Sequence, residues 1–189
     1  MPEMYIIAGC NGAGKTTAAY SLLPGVFKTI EFVNADEIAR GVSPFNVEGV
    51  AFQAGRIMLE RINQLINEEK SFAFETTLSG LTYLQLVKDA KGTGYEIIFL
   101  FVYLNSVELA KNRVAIRVGK GGHNVPEDVI ERRYIKGLKN ISMYAGLSND
   151  WYLYDNSGKK YELIVKNIAG QLEIINFETY NKLNLNETF

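Results

Sequence analysis

The sequence predicts an α/β fold: a doubly wound, mainly parallel five-stranded sheet with helices on both faces, a helical lid and a C-terminal β-hairpin. Three observations lead there. Short apolar runs alternate five times with helical patterns. The run Glu96 to Leu104 is apolar nearly throughout, as a strand covered on both faces must be. A glycine-rich turn, Gly9 to Thr16, joins the first apolar run to the first helical pattern.

Taken in order, Tyr5 to Ala8 is a short buried strand ending in glycine. Lys15 to Leu23 reads as a helix, stopped by Pro24-Gly25. Thr29 to Asn34 is the second strand, followed by a short helix from Glu37 to Arg40. Val47 to Lys70 is a long amphipathic helix, with Val50, Ala54, Ile57, Met58, Ile62 and Leu65 at three-to-four spacing. Phe72 to Thr76 is the third strand, and Thr82 to Lys91 a helix closed by Gly92 and Gly94. After the fourth strand, Asn105 is expected to cap the next helix, with Glu108 as its capping-box partner. That helix runs to about Val118. Pro126 to Lys139 is helical again, and a shorter helix follows to Leu147. Tyr152 to Tyr154 is the fifth strand, and Tyr161 to Lys166 with Gln171 to Ile175 form an edge hairpin.

The 189 residues suit one domain, 1–189, with a lid over about 106–147 and a C-terminal extension over about 159–189. Hydrophobic residues make up 47 % and charged residues 22 %, the balance of an ordinary globule, which excludes whole-chain disorder. One cysteine, Cys10, permits no intrachain disulfide, and with one histidine, His123, no zinc site of the usual kind. The opening residues lack the basic and long apolar regions of a signal peptide, and no apolar run reaches membrane-spanning length. The expected location is the cytoplasm, away from membranes.

Gly9-Cys10-Asn11-Gly12-Ala13-Gly14-Lys15-Thr16 fits G-x-x-x-x-G-K-S/T at every fixed position, with a strand before it and a helix after it. The sheet is therefore of the P-loop nucleoside-triphosphatase kind. Glycines let the backbone turn tightly, so that N–H groups point at phosphate oxygens, and the helix adds its positive end. The expected nucleotide contacts are Gly9, Asn11, Gly12, Ala13, Gly14, Lys15, Thr16 and Thr17. Lys15 reaches the β- and γ-phosphates of ATP and the Thr16 hydroxyl binds Mg²⁺.

Ligands of open parallel sheets bind at the carboxyl ends of the strands. The second strand ends in Asp36, which either accepts the proton of a substrate hydroxyl as general base or merely caps the following helix. The third ends in Glu75-Thr76-Thr77. A half-buried Glu75 needs either an ion-pair partner or a metal close by, and Thr77 binds substrate or caps a helix. The fifth ends in Asp155-Asn156-Ser157, read as a turn in preference to a wall of the adenine site.

The net charge of −1 is uneven. Between Lys111 and Lys139, eight Lys/Arg stand against three Asp/Glu. Arg113 and Arg117 share one helix face, and Lys120 follows in the glycine turn. Such a pair of helices is either a solvated basic face or a lid whose arginines stabilise charge on a transferred phosphoryl group. Of Arg132 and Arg133, only one can point inward. His123 is expected to fix its turn.

These pieces together resemble the zeta-toxin family and the wider group of P-loop kinases around it, over roughly residues 4–158. The matching segments are Gly9 to Thr17, Asn34-Ala35-Asp36, Phe74 to Leu78, and Arg113 to Tyr134 with Gly121-Gly122-His123-Asn124-Val125-Pro126 inside it. The resemblance implies Lys15 for phosphate binding, Asp36 as base and Glu75 and Thr77 as substrate or metal contacts. It also implies Arg113 on the nucleotide phosphates and Lys120 near them, where an arginine is usual. Family members phosphorylate a hydroxyl of a UDP-linked amino sugar, and an antitoxin protein is the partner the resemblance brings. The Gly-Gly-His-Asn turn is that of the wider group.

Three functions compete. A kinase for a small hydroxyl compound needs a base, which Asp36 supplies. A switch ATPase working on a protein partner ordinarily ends an apolar strand in a metal-binding Asp, where this chain has Glu75. A nucleic-acid end kinase needs a broad basic groove, and a chain acidic outside one lid argues against it.

Overall fold

The computed structural model describes residues 1–22, 29 and 31–183. Its sheet has seven strands: β1 (Glu3–Ala8), β2 (Phe32–Val33), β3 (Phe72–Thr76), β4 (Glu96–Tyr103), β5 (Asp150–Asp155), β6 (Glu162–Ile168) and β7 (Gln171–Ile174). The helices are α1 (Lys15–Leu22), α2 (Ala35–Val42), α3 (Ala51–Asn67), α4 (Thr82–Gly92), α5 (Val107–Gly119), α6 (Glu127–Ala145) and α7 (Phe177–Lys182).

The spatial order is β2-β3-β1-β4-β5-β6-β7. The first five strands run parallel, β6 pairs antiparallel with β5, and β7 antiparallel with β6. The chain passes from β1 to the edge strand β2, comes back to β3 beside β1, and then crosses to β4 on the other side of β1. The loop after β1 thus sits at the topological switch point, where the crevice of a doubly wound sheet opens.

Side chains alternate across the sheet with period two. Met4, Ile6, Phe72, Phe74, Phe99 and Phe101 face one core, with Met58, Ile62 and Leu65 of α3 and Ile141 and Tyr144 of α6. Tyr5, Ile7, Ala73, Leu100 and Val102 face the other, with Ala18 and Ala19 of α1 and Ala110 and Val114 of α5. This double cover is why the strands read as continuous apolar runs. Each large side chain withdrawn from water here contributes about 1.5–3 kcal/mol.

Several boundaries differ from expectation. Among the described residues the second strand is Phe32–Val33, an edge strand paired with β3 alone. The stop at Pro24-Gly25 lies outside the described residues. The 47–70 helix opens with a 3-10 turn, Glu48–Val50, before α3. Ser106, not Asn105, caps α5: its hydroxyl accepts from the Leu109 N–H, while the Asn105 N–H donates to Ser157 Oγ. The 126–139 and 140–147 segments are one helix, α6. The edge hairpin is present as β6 and β7, and it extends the main sheet.

α6 lies across the carboxyl ends of the strands. Tyr134 donates to the Leu104 carbonyl beyond β4, and Asn140 to the Leu78 carbonyl beyond β3, at 2.8 and 2.6 Å. Between them Gly137 passes so close to the Thr77 carbonyl that a Cβ there would sit 2.7 Å from its oxygen. The helix thereby roofs the crevice with the face that carries Arg133. No described helix is long and apolar enough to cross a membrane.

Candidate functional site

The loop between β1 and α1 folds back over the first turn of α1. Gly14 has φ +91°, a left-handed conformation open to glycine. A Cβ there would meet Asn156 Nδ2 at 2.7 Å and Tyr161 Oη at 2.8 Å. Those two groups brace the loop from outside: Asn156 Nδ2 donates to the Ala13 carbonyl at 2.8 Å and Tyr161 Oη to the Gly14 carbonyl at 2.9 Å. The segment after β5 is the expected turn, in which Asp155 Oδ1 accepts from the Ser157 N–H. It is also a strut for the glycine-rich loop.

Lys15 is 6 % exposed; its Nζ donates to the Cys10 carbonyl at 2.9 Å and lies 3.4 Å from Glu75 Oε1. Glu75 Oε2 accepts from Thr16 Oγ1 at 2.7 Å and from Asn34 Nδ2 at 2.9 Å. One carboxylate thus joins the loop lysine, the first-turn threonine and the end of β2. Such a hub is what burial of an acid at a strand end requires.

Asn34 has a second task. Its Oδ1 caps α2, accepting from the Asp36 and Glu37 N–H groups. The N-cap of α2 is thus Asn34 and not Asp36. Asp36 is the second residue of α2, its carboxylate lines the crevice, and Oδ2 lies 3.4 Å from His123 Nε2.

A cavity of about 270 Å³ collects Asn11, Lys15, Asp36, Glu75, Thr77 and Arg133. Thr77 Oγ1 is 2.9 Å from Ser79 Oγ and does not cap α4. Between them Leu78 holds φ +54°, unusual for a branched side chain, pinned by Thr76 Oγ1 and Asn140. Strain of about 1–3 kcal/mol stored here fits a wall that must keep its shape. A second cavity, about 340 Å³, continues past Asp36 to His123, Pro126 and Arg132.

The arginines divide. Arg113 packs against Gly12, whose added Cβ would meet Arg113 Cβ at 3.2 Å, and its Nη2 reaches the Ser157 and Gly158 carbonyls at 3.4 Å. Arg117 turns to His123, donating to its carbonyl at 3.0 Å. Lys120 is exposed at the C-cap of α5, and Thr17 is exposed on α1. The arginine over the loop is Arg133, whose Nη1 donates to Asn11 Oδ1 at 3.2 Å. Of the inward pair it is the one that enters, and burial shifts its guanidinium downward. Cys10 packs into the second core, and burial pushes its thiol up to about 11, so it stays a protonated, inert hydrophobe.

The family model described as Zeta toxin matches residues 1–161. An uncharacterized protein of Haemophilus influenzae is 32 % identical over 126 residues, covering 67 % of this chain and 88 % of that one. Among solved structures, the AvrRxo1-ORF1:-ORF2 complex with ATP superposes with TM-score 0.80 at 16 % identity, over 97 % of this chain and 63 % of that one. This chain therefore spans less than two thirds of that protein. The PezAT chromosomal toxin–antitoxin system of Streptococcus pneumoniae superposes with TM-score 0.64 at 15 % identity, over 100 % of this chain and 87 % of that one. These two likenesses concern the fold alone, the doubly wound α/β sheet described above.

Proposed function

The chain belongs to the zeta toxin family, and from that premise we propose that it is an ATP- and magnesium-dependent kinase that transfers the γ-phosphoryl group to a hydroxyl of a small molecule. The observation that carries the reading is the opening of Lys15, Glu75 and Asp36 onto one cavity at the switch point of the sheet.

The loop amides at the start of α1 grip the polyphosphate, and Lys15 exchanges Glu75 for the β- and γ-phosphate oxygens. Asp36 accepts the proton of the acceptor hydroxyl as its oxygen bonds to the γ-phosphorus. The bond from that phosphorus to the β–γ bridging oxygen breaks, and ADP departs with the electron pair. Arg133 above the loop and Arg113 beside Gly12 offset the charge that spreads over the transferred group. The contiguous oxygen donors of Thr16 and Glu75 fit magnesium, which they would hold together with nucleotide oxygens. When bound, that ion neutralises phosphate charge.

A UDP-linked amino sugar is the first acceptor to try, on the family's chemistry. A protein antitoxin is the proposed partner, on the likeness to PezAT, and the cytoplasm the proposed site of action. The test is a metabolite panel including UDP-sugars, incubated with labelled ATP and read by mass. Lys15→Ala should abolish turnover, whereas Asp36→Ala should keep ATP binding and stop transfer. Near-normal transfer by the Asp36 variant, or no calorimetric affinity for magnesium ATP, would defeat the proposal.

A further inference from the structure

We infer that Asn156 and Tyr161, on the two limbs of the hairpin turn between β5 and β6, are positioning residues for the phosphate-binding loop: by holding the Ala13 and Gly14 carbonyls outward they aim the Gly14 and Lys15 N–H groups at the polyphosphate. This rests on the proposed reading of Gly9 to Thr16 as the ATP-binding loop.

The two contacts fall on consecutive peptides. Asn156 Nδ2 donates to the Ala13 carbonyl at 2.8 Å, and Tyr161 Oη to the Gly14 carbonyl at 2.9 Å. The Gly14 carbonyl also accepts from the Ala18 N–H at 2.9 Å, the first bond of α1, so both its lone pairs are in use. Across a trans peptide the N–H points away from the carbonyl of the same unit. A strut on the Ala13 carbonyl therefore turns the Gly14 N–H to the opposite side of the loop. The strut on the Gly14 carbonyl does the same for the Lys15 N–H. Neither N–H donates to another described backbone group. Both stand at the positive end of α1, where an anion is gripped.

The struts are themselves held. Asp155 pairs with Glu162 across the base of the turn. The Asn156 N–H donates to the Tyr103 carbonyl at 3.0 Å, which fixes the backbone from which its side chain reaches the loop. Asp155 Oδ1 accepts from the Ser157 N–H, and Ser157 Oγ accepts from the Asn105 N–H at 2.8 Å. Arg113 Nη2 reaches the Ser157 and Gly158 carbonyls at 3.4 Å. Burial raises the Tyr161 phenol above its usual value, so Oη keeps the proton that it donates. A loop whose amides are aimed before the ligand arrives avoids the ordering cost of binding. The β5–β6 hairpin thus acts on phosphate affinity through the loop, without itself touching phosphate.

Tyr161→Phe removes one hydroxyl and keeps the ring. Titration calorimetry of the full chain with ATP and with inorganic tripolyphosphate, both without metal, should show affinity lower by about threefold to tenfold for each ligand. Asn156→Ala should do the same through the neighbouring peptide. Tripolyphosphate carries no base, so an equal loss for the two ligands assigns the effect to the loop and not to adenine. A loss confined to ATP would overturn the inference. So would a lower melting temperature with tripolyphosphate affinity unchanged, the mark of a bond that merely holds the hairpin. A parent that binds both ligands, beside variants that bind them as tightly, defeats the inference and leaves the kinase reading in place. A parent with no affinity for either ligand defeats the reading of the loop, and the inference with it. Weakened variants of a chain that phosphorylates no hydroxyl compound defeat the kinase reading and leave the inference standing.

Discussion

Replacing Glu75 by Gln probes the hub on which the crevice is built. Oε2 accepts two hydrogen bonds, from Thr16 and Asn34, and Oε1 faces the Lys15 ammonium at 3.4 Å. An amide fits neither way round. With its NH₂ toward Lys15 it presents a donor to a cation; with its NH₂ at the other position it loses both accepted bonds. In the first orientation Lys15, 6 % exposed, keeps the Cys10 carbonyl alone; in the second it keeps a neutral amide oxygen in place of a carboxylate. Breaking one side of a buried pair costs about 3–5 kcal/mol, and the surviving carbonyl contact argues for the lower end. About 3 kcal/mol corresponds to a melting temperature lower by roughly 6–12 °C for a chain of this length. ATP should then rescue the variant, because phosphate oxygens give Lys15 the partner it lacks. Differential scanning fluorimetry in EDTA, with and without saturating ATP, measures both effects without the metal. A variant that melts within about 2 °C of the parent, or an ATP shift equal in both proteins, would refute the reasoning.

Three further outcomes are expected. Gly14→Ala forces a Cβ toward Asn156 and Tyr161 at a left-handed φ, so ATP affinity by calorimetry should fall at least about tenfold, in line with strain of about 1–3 kcal/mol. Gly137→Ala pushes α6 away from the Thr77 carbonyl and should cost about 1–3 kcal/mol in urea unfolding, an overpacking effect. The folded-state affinity of His123 for protons is lowered by burial, so its contribution to stability is complete above the unfolded value near 6.5 and is lost as pH falls through the lower folded one. Melting temperature should decline over that window in the parent and less in His123→Gln; equal slopes would exclude this residue as the source.

What the sequence disclosed follows the reach of its signals. Gly9 to Thr16 is contiguous, and β4 announces itself by an unbroken apolar run, so both were legible. The roles of the arginines were not, because α6 crosses the strand ends at an angle that only its contacts with Leu104, Thr77 and Leu78 determine. Helical spacing groups Arg113 with Arg117; tertiary packing sends one to the loop and the other to His123. The cap of α5 went to Ser106 because the first helical turn starts one residue later than the Asn105 reading assumes. Nothing local marks His123 as the neighbour of Asp36, and the left-handed Leu78 carries no glycine or asparagine to signal it. α7 is only six residues long, though it buries Tyr180.

The hairpin of β6 and β7 has a practical consequence for anyone trimming this protein. The family match stops at residue 161, one residue before β6 begins. Cutting there would strip β5 of its antiparallel neighbour and uncover Trp151 and Leu153. The shortened chain would carry a raw, sticky sheet margin, ready to pair with copies of itself, and Tyr161 would be left at a loose end. Expression work on this fold should keep the tail.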